Sequence, residues 1–410
     1  MKINDMYFNI LFSSLKELIN KHDGKVFWCI ALVYSITIVN LAGSSEHTTN
    51  KEYTTFYVSD FSAFLTGAYI IRYDSAKNLY NINTQRIYLN EVIKPYIRDE
   101  VILTFRNPPL LAVLFFPLTL FEPRTAFKIY VFVSSLAVFL GIFILTRKLK
   151  LNSSIIAAAV SVFYSTISTL LTGQIGSLLL LVLCLIYVSI MENKFTAAGL
   201  LSTLLLLKPQ YMLLIPLIFL AVNMNRNYLK AALIGGLLFL IANFLIFGSN
   251  PLTEYLSFLY NTETYSMGTD IEKNYSLLSL FSVFLPNPLT ITFITSFILY
   301  GLALSLYLLI KNNRDMLLFT GILIVFPLAI HVILADLIMS LPPFIFLISK
   351  YRISKDRKYL LPAILIYLIP FIYLAKLVWL SSILYFFVVV LILRPANTTS
   401  RPSTIPRPNY

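Results

Sequence analysis

The sequence predicts an all-α, polytopic membrane protein, and three observations support this fold class. Only 12% of the 410 residues are charged, whereas a soluble domain carries roughly 25%. Hydrophobic residues make up 58% of the chain, and the mean hydropathy is +0.78. The apolar residues form long continuous runs that lack the alternation of barrel strands, which favours helices over a β-barrel. A soluble enzyme is therefore excluded, and we expect a bundle of about 12 transmembrane helices.

Individual spans follow from the apolar runs, because a helical span needs roughly 20 mainly apolar residues. The longer runs are 26–43, 126–146, 153–171, 173–191, 229–247, 288–310 and 316–334. The shorter runs are 195–207, 210–222, 336–349, 359–374 and 377–393. The stretch 108–121 begins with Pro108-Pro109 and is expected to be a re-entrant or surface-lying helix that does not cross.

Basic residues predict the orientation, because cytoplasmic loops carry an excess of Lys and Arg. About 12 crossings place both termini and every basic cluster in the cytoplasm, which fits a multi-pass plasma (inner) membrane protein. No cleavable signal peptide is expected. The predicted organisation is one domain over 1–394, with long outer loops at 44–107 and 248–287 and surface-lying helices in the first of them. The tail 395–410 has the composition of a disordered segment.

The composition also argues against several kinds of site. Two cysteines, Cys29 and Cys184, are too few for a disulfide framework or a cysteine-based zinc site. Three histidines make a histidine-based metal cluster improbable, so neither a metal nor another cofactor is expected. The net charge of +13 does not imply nucleic acid, because basic loop residues in so apolar a chain set membrane orientation.

Unusual polar residues gather on the predicted outer side. Ionisable groups near membrane depth are costly, so their presence indicates a functional site. The predicted topology depends on the basic clusters. The occurrence of these polar residues on one side of the membrane is therefore nearly independent support for an outward-facing polar site. The residues are Asp60, Arg106, Gln174, Lys208, Asn274, His331 and Asp336.

Asp60 is the candidate catalytic residue. The apolar residues around it recur at helical spacing, which predicts a short amphipathic helix that starts at Asp60 just after the first span. One interpretation is that Asp60 satisfies free N–H groups in the first helical turn, unless Ser59 takes that capping role. The other interpretation is a general base whose pKa is raised by partial desolvation.

Three cationic or titratable residues are candidates for binding a phosphate. Arg106 has the planar fork of donors that suits phosphate, but it also fits a snorkelling interface residue. Lys208 is disfavoured in an outer turn unless it pairs with an anion such as a phosphate, although snorkelling beside the helix-breaking Pro209 is the structural alternative. His331 lies five residues before Asp336, so the two could also form a purely structural buried pair.

Three further residues are candidates for binding a sugar or an acceptor. Gln174 follows the turn residue Gly173, and a glutamine at that depth needs partners such as sugar hydroxyls. Asn274 closes the second outer loop, where it could instead cap the next helix. Asp336 is the third candidate.

Seven short motifs follow one another along the chain. They are Asp60-Phe61, Asn-Leu-Tyr-Asn at 78–81, Pro108-Pro109-Leu110, Gly173-Gln174-Ile175, Lys208-Pro209-Gln210, Asn274-x-Ser276-Leu277 and the late His331/Asp336 turn ending in Leu341-Pro342. Taken in this order, they resemble the motifs of the family 87 glycosyltransferases, polyprenyl-phosphate-mannose-dependent α-mannosyltransferases of the GT-C superfamily. The resemblance spans roughly residues 26–349. It implies a GT-C-type helical bundle, a lipid-linked sugar donor and a site facing away from the cytoplasm.

The resemblance implies specific roles and also shows two departures. It aligns Asp60 with the family's catalytic acid, and it implies transfer of mannose from a polyprenyl phosphate to a glycolipid or glycan hydroxyl with inversion. The family usually has an aromatic residue before Pro-Pro, where this chain has Arg106-Asn107. The usual Asn-Gln-Ser reads Asn274-Tyr275-Ser276, so another sugar or acceptor stays open. A lipid or sugar transporter is the alternative from another class, although its polar residues would lie near the bilayer midplane.

Overall fold

The computed structural model describes residues 21–44, 59–94, 103–248, 251–264, 271–309 and 314–394. These ranges are predominantly helical and contain no β-strand, which confirms the all-α prediction for the part of the chain they cover. The predicted disordered tail 395–410 lies outside the described residues, as do parts of both predicted outer loops.

Eighteen α-helices are defined within the described ranges. They are α1 (Asp23–Ser44), α2 (Asp60–Tyr73), α3 (Ile82–Ile93), α4 (Pro109–Phe115), α5 (Pro123–Lys148), α6 (Ser153–Ser161), α7 (Tyr164–Leu171), α8 (Gly176–Met191), α9 (Phe195–Ser202), α10 (Leu214–Ala221), α11 (Arg226–Phe247), α12 (Pro251–Thr264), α13 (Leu277–Phe284), α14 (Pro288–Leu309), α15 (Arg314–Leu328), α16 (Leu341–Ser354), α17 (Arg357–Leu368) and α18 (Ser381–Leu393).

Short 3₁₀ segments join or extend these helices. They cover Ala76–Asn78, Phe116–Leu120, Thr203–Leu207, Pro209–Leu213, Ile271–Lys273, Leu334–Ser340, Ile369–Tyr373 and Val378–Leu380.

Five helical stretches of the described chain are long and apolar enough to cross a membrane, or six if one bent pair counts as a single span. The chain is therefore a membrane protein by length and composition of its helices, while the figure of about 12 crossings stays a prediction. The five stretches are Asp23–Gly43, Pro123–Lys148, Arg226–Phe247, Pro288–Leu309 and Leu334–Ser354. Shorter apolar helices are Pro109–Leu120, Gly176–Met191, Phe195–Leu207, Pro209–Ala221 and Val378–Leu393.

Two predicted spans differ from the structure in shape. The run 153–171 forms two helices, α6 and α7, whose axes are bent by 64°. The run 316–334 is helical only to Leu328, and His331 lies in non-helical chain before the segment Leu334–Ser340. The first break falls at the apolar residues Val162 and Phe163, and the second contains a single polar residue, His331, so hydropathy alone does not indicate either break.

One end of the bundle collects charged residues from several helix ends. The Asp23 carboxylate accepts hydrogen bonds from the backbone N–H groups of Ser153 (3.1 Å) and Ser154 (2.8 Å), where α6 begins. A carboxylate is favoured there because the first N–H groups of a helix are unpaired. Lys148, at the end of α5, lies 3.2 Å from Glu192, just after α8. The start of α1 and the ends of α5 and α8 therefore share this end of the bundle.

The opposite end of α5 lies beside Gln174. The Tyr130 hydroxyl donates to the Gln174 carbonyl oxygen at 3.2 Å. Tyr130 precedes Lys148 by 18 residues, which corresponds to about 27 Å at ~1.5 Å per helical residue. Gln174 and the charged end of the bundle are thus separated by most of the length of α5.

Close packing of helices holds this arrangement together. A Cβ atom at Gly141 in α5 would lie 3.1 Å from the Leu181 Cα in α8, so glycine allows the two backbones to approach. The hydroxyls of Ser35 in α1 and Ser135 in α5 hydrogen-bond each other at 2.8 Å. Small residues and interhelical hydroxyl bonds are how helices associate in an apolar surrounding.

Candidate active site

A cavity of about 1250 Å³ lies among α2, the segment before α4, α11, α12 and α14. Polar residues from several separate parts of the chain line it. They include five of the seven predicted site residues: Asp60, Arg106, Gln174, Lys208 and His331. The other two, Asn274 and Asp336, are fully buried and are not among its lining residues.

Asp60 is held by the turn that precedes α8. Asp60 is the first residue of α2, which confirms the predicted helix start, and Ser59 occupies the N-cap position without a side-chain capping bond. The Ser59 hydroxyl instead donates to the Thr172 carbonyl oxygen at 2.9 Å, and the Phe61 N–H donates to the same oxygen at 3.2 Å. These bonds fasten the residues on both sides of Asp60 to the Thr172–Gly173 turn.

The turn at Gly173 explains the position of Gln174. The N–H of Gly173 bonds to Leu170 O and that of Gln174 to Thr169 O, which is the Schellman pattern that ends α7. Gly173 has φ +64°, a left-handed conformation that favours glycine. A Cβ atom there would lie 2.5 Å from the Phe61 Cβ. Glycine is therefore required for the turn and for its contact with the start of α2.

Lys208 lies at a break between two 3₁₀ segments. Its extended backbone, with φ −134° and ψ 105°, interrupts the helical path before Pro209. Its Nζ atom donates to Gln174 Oε1 at 2.9 Å and forms a close ion pair with the Asp336 carboxylate. The Gln174 side chain and Asp60 both line the cavity, and Gln174 helps to keep the pKa of the Asp60 carboxyl from rising further.

Asp336 is the buried counter-ion of Lys208. Its carboxylate accepts hydrogen bonds from the Tyr211 hydroxyl at 3.1 Å and from the Ile333 N–H at 3.1 Å. The side chains of Lys208 and Asp336 are only 7% and 1% exposed. Each carboxylate oxygen therefore already has a protein partner, and the predicted contact of Asp336 with a sugar or acceptor stays a prediction.

Asn274 holds the chain on both sides of His331. Its Nδ2 donates to the Ile330 carbonyl oxygen at 2.6 Å, and its Oδ1 accepts from the Val332 N–H at 3.1 Å. The cap of α13 is Ser276, whose hydroxyl accepts from Leu278 N, so Asn274 is not the helix cap. Its predicted contact with a sugar or acceptor stays a prediction.

His331 presents an imidazole to the cavity. Its buried Nδ1 atom has no hydrogen-bond partner among the described residues. The structure shows no hydrogen bond between His331 and Asp336 in the described chain, so the two do not form the direct structural pair considered from the sequence.

The segment that carries Arg106 is pinned by neighbouring residues. The Gln85 amide oxygen accepts from the Phe105 N–H at 2.8 Å, and the Tyr80 hydroxyl donates to Asn107 O at 2.9 Å. The Phe105 ring packs on Gly67, where a Cβ atom would lie only 2.8 Å away. Through Tyr80, the Asn-Leu-Tyr-Asn motif at 78–81 thus holds the segment that carries Arg106 in position.

The environment of Asp60 changes its acidity. Burial raises the pKa of the Asp60 carboxyl above its ordinary value of 3.8, while the Gln174 hydrogen bond and the positive charge of Lys208 oppose that change. A carboxylate with a raised pKa is a stronger base, and it is here held at the wall of a cavity large enough for a substrate.

Two long apolar helices contribute a large apolar part of the cavity wall. Leu240 and Phe244 of α11 and Phe293 and Phe297 of α14 line it. All four are exposed, and Phe297 is 82% exposed. The cavity therefore combines a polar end with an apolar wall that lies on helices long enough to cross a membrane.

Several polar residues of the cavity were missed from the sequence. Each has a buried side-chain N or O atom without a hydrogen-bond partner among the described residues. Gln210 had a usable signal, because it belongs to the Lys208-Pro209-Gln210 motif, whereas the others carry no local pattern. The missed residues are Thr104, Gln210, Asn243, Tyr255 and Ser296.

Among the described residues, no group of three or more His, Cys, Asp and Glu side chains is arranged to hold a metal ion. The cavity instead offers one carboxylate, two cationic side chains, an imidazole and several amides and hydroxyls. This set suits proton transfer and the binding of a phosphate and of hydroxyl groups.

Comparison with known proteins identifies a family. Residues 105–334, more than half of the chain, match the family model of Glycosyltransferase family 87. The matched segment includes Arg106, Gln174, Lys208, Asn274 and His331, whereas Asp60 and Asp336 lie outside it. Neither the curated proteins nor the solved structures contain a significant match.

Proposed function

Because the chain belongs to glycosyltransferase family 87 and is a membrane glycosyltransferase, we propose that it transfers mannose from a polyprenyl phosphate to an acceptor hydroxyl. The observation that carries this proposal is the form of the cavity. Asp60 lines it together with Gln174 and Lys208, and α11 and α14 contribute a large apolar part of its wall. A lipid-linked donor needs both environments, since its chain is apolar and its reacting end is polar.

Asp60 is the proposed general base. The acceptor hydroxyl transfers its proton to the Asp60 carboxylate while its oxygen forms a bond to the anomeric carbon. The bond between that carbon and the phosphate oxygen breaks, and its electron pair leaves with the polyprenyl phosphate. A single displacement of this kind inverts the anomeric configuration. The raised pKa of Asp60 favours the proton transfer.

Arg106, Lys208 and His331 are the proposed ligands of the departing phosphate. Positive groups held in position before the reaction stabilise the charge that develops on a leaving group. Lys208 has three N–H donors, of which Gln174 and Asp336 take two. One donor is therefore left for a ligand in the cavity, although Asp336 offsets the charge.

The proposed sugar and acceptor residues act in two different ways. They are Gln174, Asn274 and Asp336. Gln174 lines the cavity and is the direct ligand. Asn274 and Asp336 act through their neighbours, because Asn274 holds the chain beside His331 and Asp336 holds Lys208.

The proposed location is a plasma (inner) membrane with both termini in the cytoplasm and the cavity on the opposite side. The argument is the separation along α5, which puts about 27 Å between Gln174 and the basic end of the helix at Lys148. Basic helix ends favour the cytoplasmic side. The acceptor is then a glycolipid or glycan of the cell envelope.

The test uses membranes that contain the wild type, Asp60→Asn or Asp74→Asn, with radiolabelled polyprenyl-phosphate-mannose and a lipid extract of the host. Asp74→Asn is the matched control, because Asp74 is an exposed carboxylate outside the cavity. We expect label transfer by the wild type and the control, and a loss of at least ~100-fold in Asp60→Asn, the scale of general-base catalysis. Transfer should also survive EDTA.

Three outcomes would contradict the proposal. Transfer by Asp60→Asn at the wild-type rate would remove Asp60 from the mechanism. Donor binding without any transfer would indicate another sugar or acceptor, and loss of transfer on chelation with rescue by a divalent ion would contradict the metal-independent chemistry.

A further inference from the structure

A second polar patch of the cavity is formed by Thr104 and Tyr255. Both side chains line the cavity, and they are only 8% and 5% exposed as whole residues. Neither Thr104 Oγ1 nor Tyr255 Oη has a hydrogen-bond partner in the described part of the chain. A buried hydroxyl without a hydrogen-bond partner lowers the stability of the fold. Two such hydroxyls at one cavity therefore indicate a ligand that pairs with them.

Tyr255 is held rigidly by aromatic packing. Tyr255 and Phe258 are the buried positions of α12 over residues 253–258, one helical turn apart. The Tyr255 and Phe258 rings lie 5.5 Å and 5.4 Å from the ring of Tyr80. Tyr80 is itself anchored by its bond to Asn107 O. The aromatic ring of Tyr255 therefore stabilises the packing of α12, whereas its hydroxyl takes no part in that packing.

The chemistry of the patch points to neutral hydroxyl groups of a ligand. A hydroxyl both donates and accepts a hydrogen bond, as a sugar hydroxyl does. The patch lies on α12 and on the segment before α4, whereas the wall formed by α11 and α14 is mostly hydrocarbon apart from Asn243, Ser296 and Tyr300. A polyprenyl chain has no group that could pair with Thr104 or Tyr255, so the ligand of this patch must be the polar part of a substrate.

We propose that Thr104 and Tyr255 form a sugar-binding subsite that recognises hydroxyl groups of the donor sugar or of the acceptor sugar. This inference rests on the proposed glycosyltransferase reaction, and it adds two specificity-determining residues that lie outside the proposed catalytic group. Thr104 precedes Arg106 by two residues, and both line the same cavity as Tyr255, so the subsite adjoins one of the proposed phosphate ligands.

The test compares Tyr255→Phe, Thr104→Val and the double variant with the wild type, purified in nanodiscs of phosphatidylethanolamine and phosphatidylglycerol. Tyr187→Phe is the matched control, because the Tyr187 hydroxyl is also buried and without a partner but does not line the cavity. The probes are the methyl glycosides of α-mannose, β-glucose and β-galactose, followed by saturation-transfer NMR, and radiolabelled polyprenyl-phosphate-mannose, followed by direct binding.

We expect each variant to weaken sugar binding by about 2- to 10-fold, which is the value of one neutral hydrogen bond, and the double variant by at least ~10-fold. Weaker binding of a methyl glycoside alone assigns the subsite to the acceptor, and weaker binding of the lipid-linked sugar assigns it to the donor. Tyr255→Phe should not lower the thermal stability, because the hydroxyl has no internal partner to lose.

The proposal is overturned if the double variant binds every probe as the wild type does, if the control variant loses as much affinity, or if the wild type binds none of the probes. A marked loss of stability in Tyr255→Phe would also overturn it, because the hydroxyl would then have a structural role. These binding readouts need no turnover, so a failure of mannose transfer in the Asp60 experiment is distinguishable from a failure here.

Discussion

The ion pair between Lys208 and Asp336 allows a test of whether Lys208 serves the substrate or only the fold. The side chains are 7% and 1% exposed, so removing either charge leaves the other one buried without its partner. Such a change costs about 3–5 kcal/mol of unfolding free energy. We expect this loss in both Lys208→Met and Asp336→Asn.

The double variant Lys208→Met/Asp336→Asn should recover most of that stability. It contains no buried charge at the pair, and the asparagine oxygen still accepts one of the two bonds that Tyr211 and Ile333 donate to Asp336. The remaining loss is that of two hydrogen bonds, one of these and the bond from Lys208 to Gln174, or about 1–3 kcal/mol. At ~2 °C per kcal/mol for a large chain, the single variants melt about 6–10 °C lower than the wild type and the double variant about 2–6 °C lower.

Thermal unfolding in nanodiscs measures the stabilities, and label transfer from the polyprenyl donor measures the activity. The double variant should transfer at least ~100-fold more slowly than the wild type, as expected when a preorganised donor to a leaving group is removed. The exposed pair Lys148 and Glu192 is the control, since a surface ion pair contributes only about 0–1 kcal/mol.

Two results would refute this reasoning. A double variant as unstable as the single variants would show that the two charges do not stabilise each other. A double variant with recovered stability and nearly wild-type transfer would limit Lys208 to a structural role and leave the phosphate to Arg106 and His331.

Two further predictions concern the surroundings of Asp60. Gly173→Ala places a Cβ atom 2.5 Å from Phe61 Cβ at a φ of +64°, so it should cost at least ~1 kcal/mol and lower transfer. The control Gly236→Ala meets no atom within 4 Å and should be neutral; equal losses in both would contradict the argument. Because burial raises the pKa of Asp60 above 3.8, the base is lost on acidification at a higher pH than for an exposed aspartate. Transfer should therefore rise with pH from 3.8 up through the raised pKa, whereas the stability contributed by the neutral carboxyl should fall over the same window. Asp60→Asn should abolish the pH dependence of both transfer and stability over this window. A pH–rate profile measures the first, and thermal unfolding at each pH measures the second.

The long spans were predictable because a long apolar segment in a bilayer must satisfy its backbone hydrogen bonds internally, which a helix does. The run 126–146 became Pro123–Lys148, and 229–247 became Arg226–Phe247. The bend between α6 and α7 was not predictable, since Val162 and Phe163 at the break are apolar and neither is Pro or Gly. It depends on tertiary contacts instead: the Ser165 and Thr169 hydroxyls donate to the carbonyl oxygens of Leu334 and Ala335.

Several cavity residues could be predicted because polar residues are rare in so apolar a chain, and those that occur near membrane depth belong to one functional site. Asp60, Arg106, Gln174, Lys208 and His331 do meet at one cavity. The roles of Asn274 and Asp336 depend on the direction of their side chains, which the sequence does not encode locally. Tyr255 could not be found at all, because its place at the cavity results from the packing of α12 against Tyr80, far away in the chain.

The interruptions of the helices and the candidate site have the same physical origin. Asp60 is at a helix start, Gln174 follows a Schellman turn, Lys208 is an extended residue between two 3₁₀ segments, and His331 lies in non-helical chain. Non-helical backbone at membrane depth is tolerated only where protein or a polar cavity satisfies its hydrogen bonds. Each break frees a side chain to point into the cavity, and the partners of the cavity residues satisfy the backbone in return, as Asp336 does for Ile333 N–H and Asn274 for Val332 N–H. Replacing these partners should therefore damage the fold and the site together, whereas replacing Asp60 should damage the reaction alone.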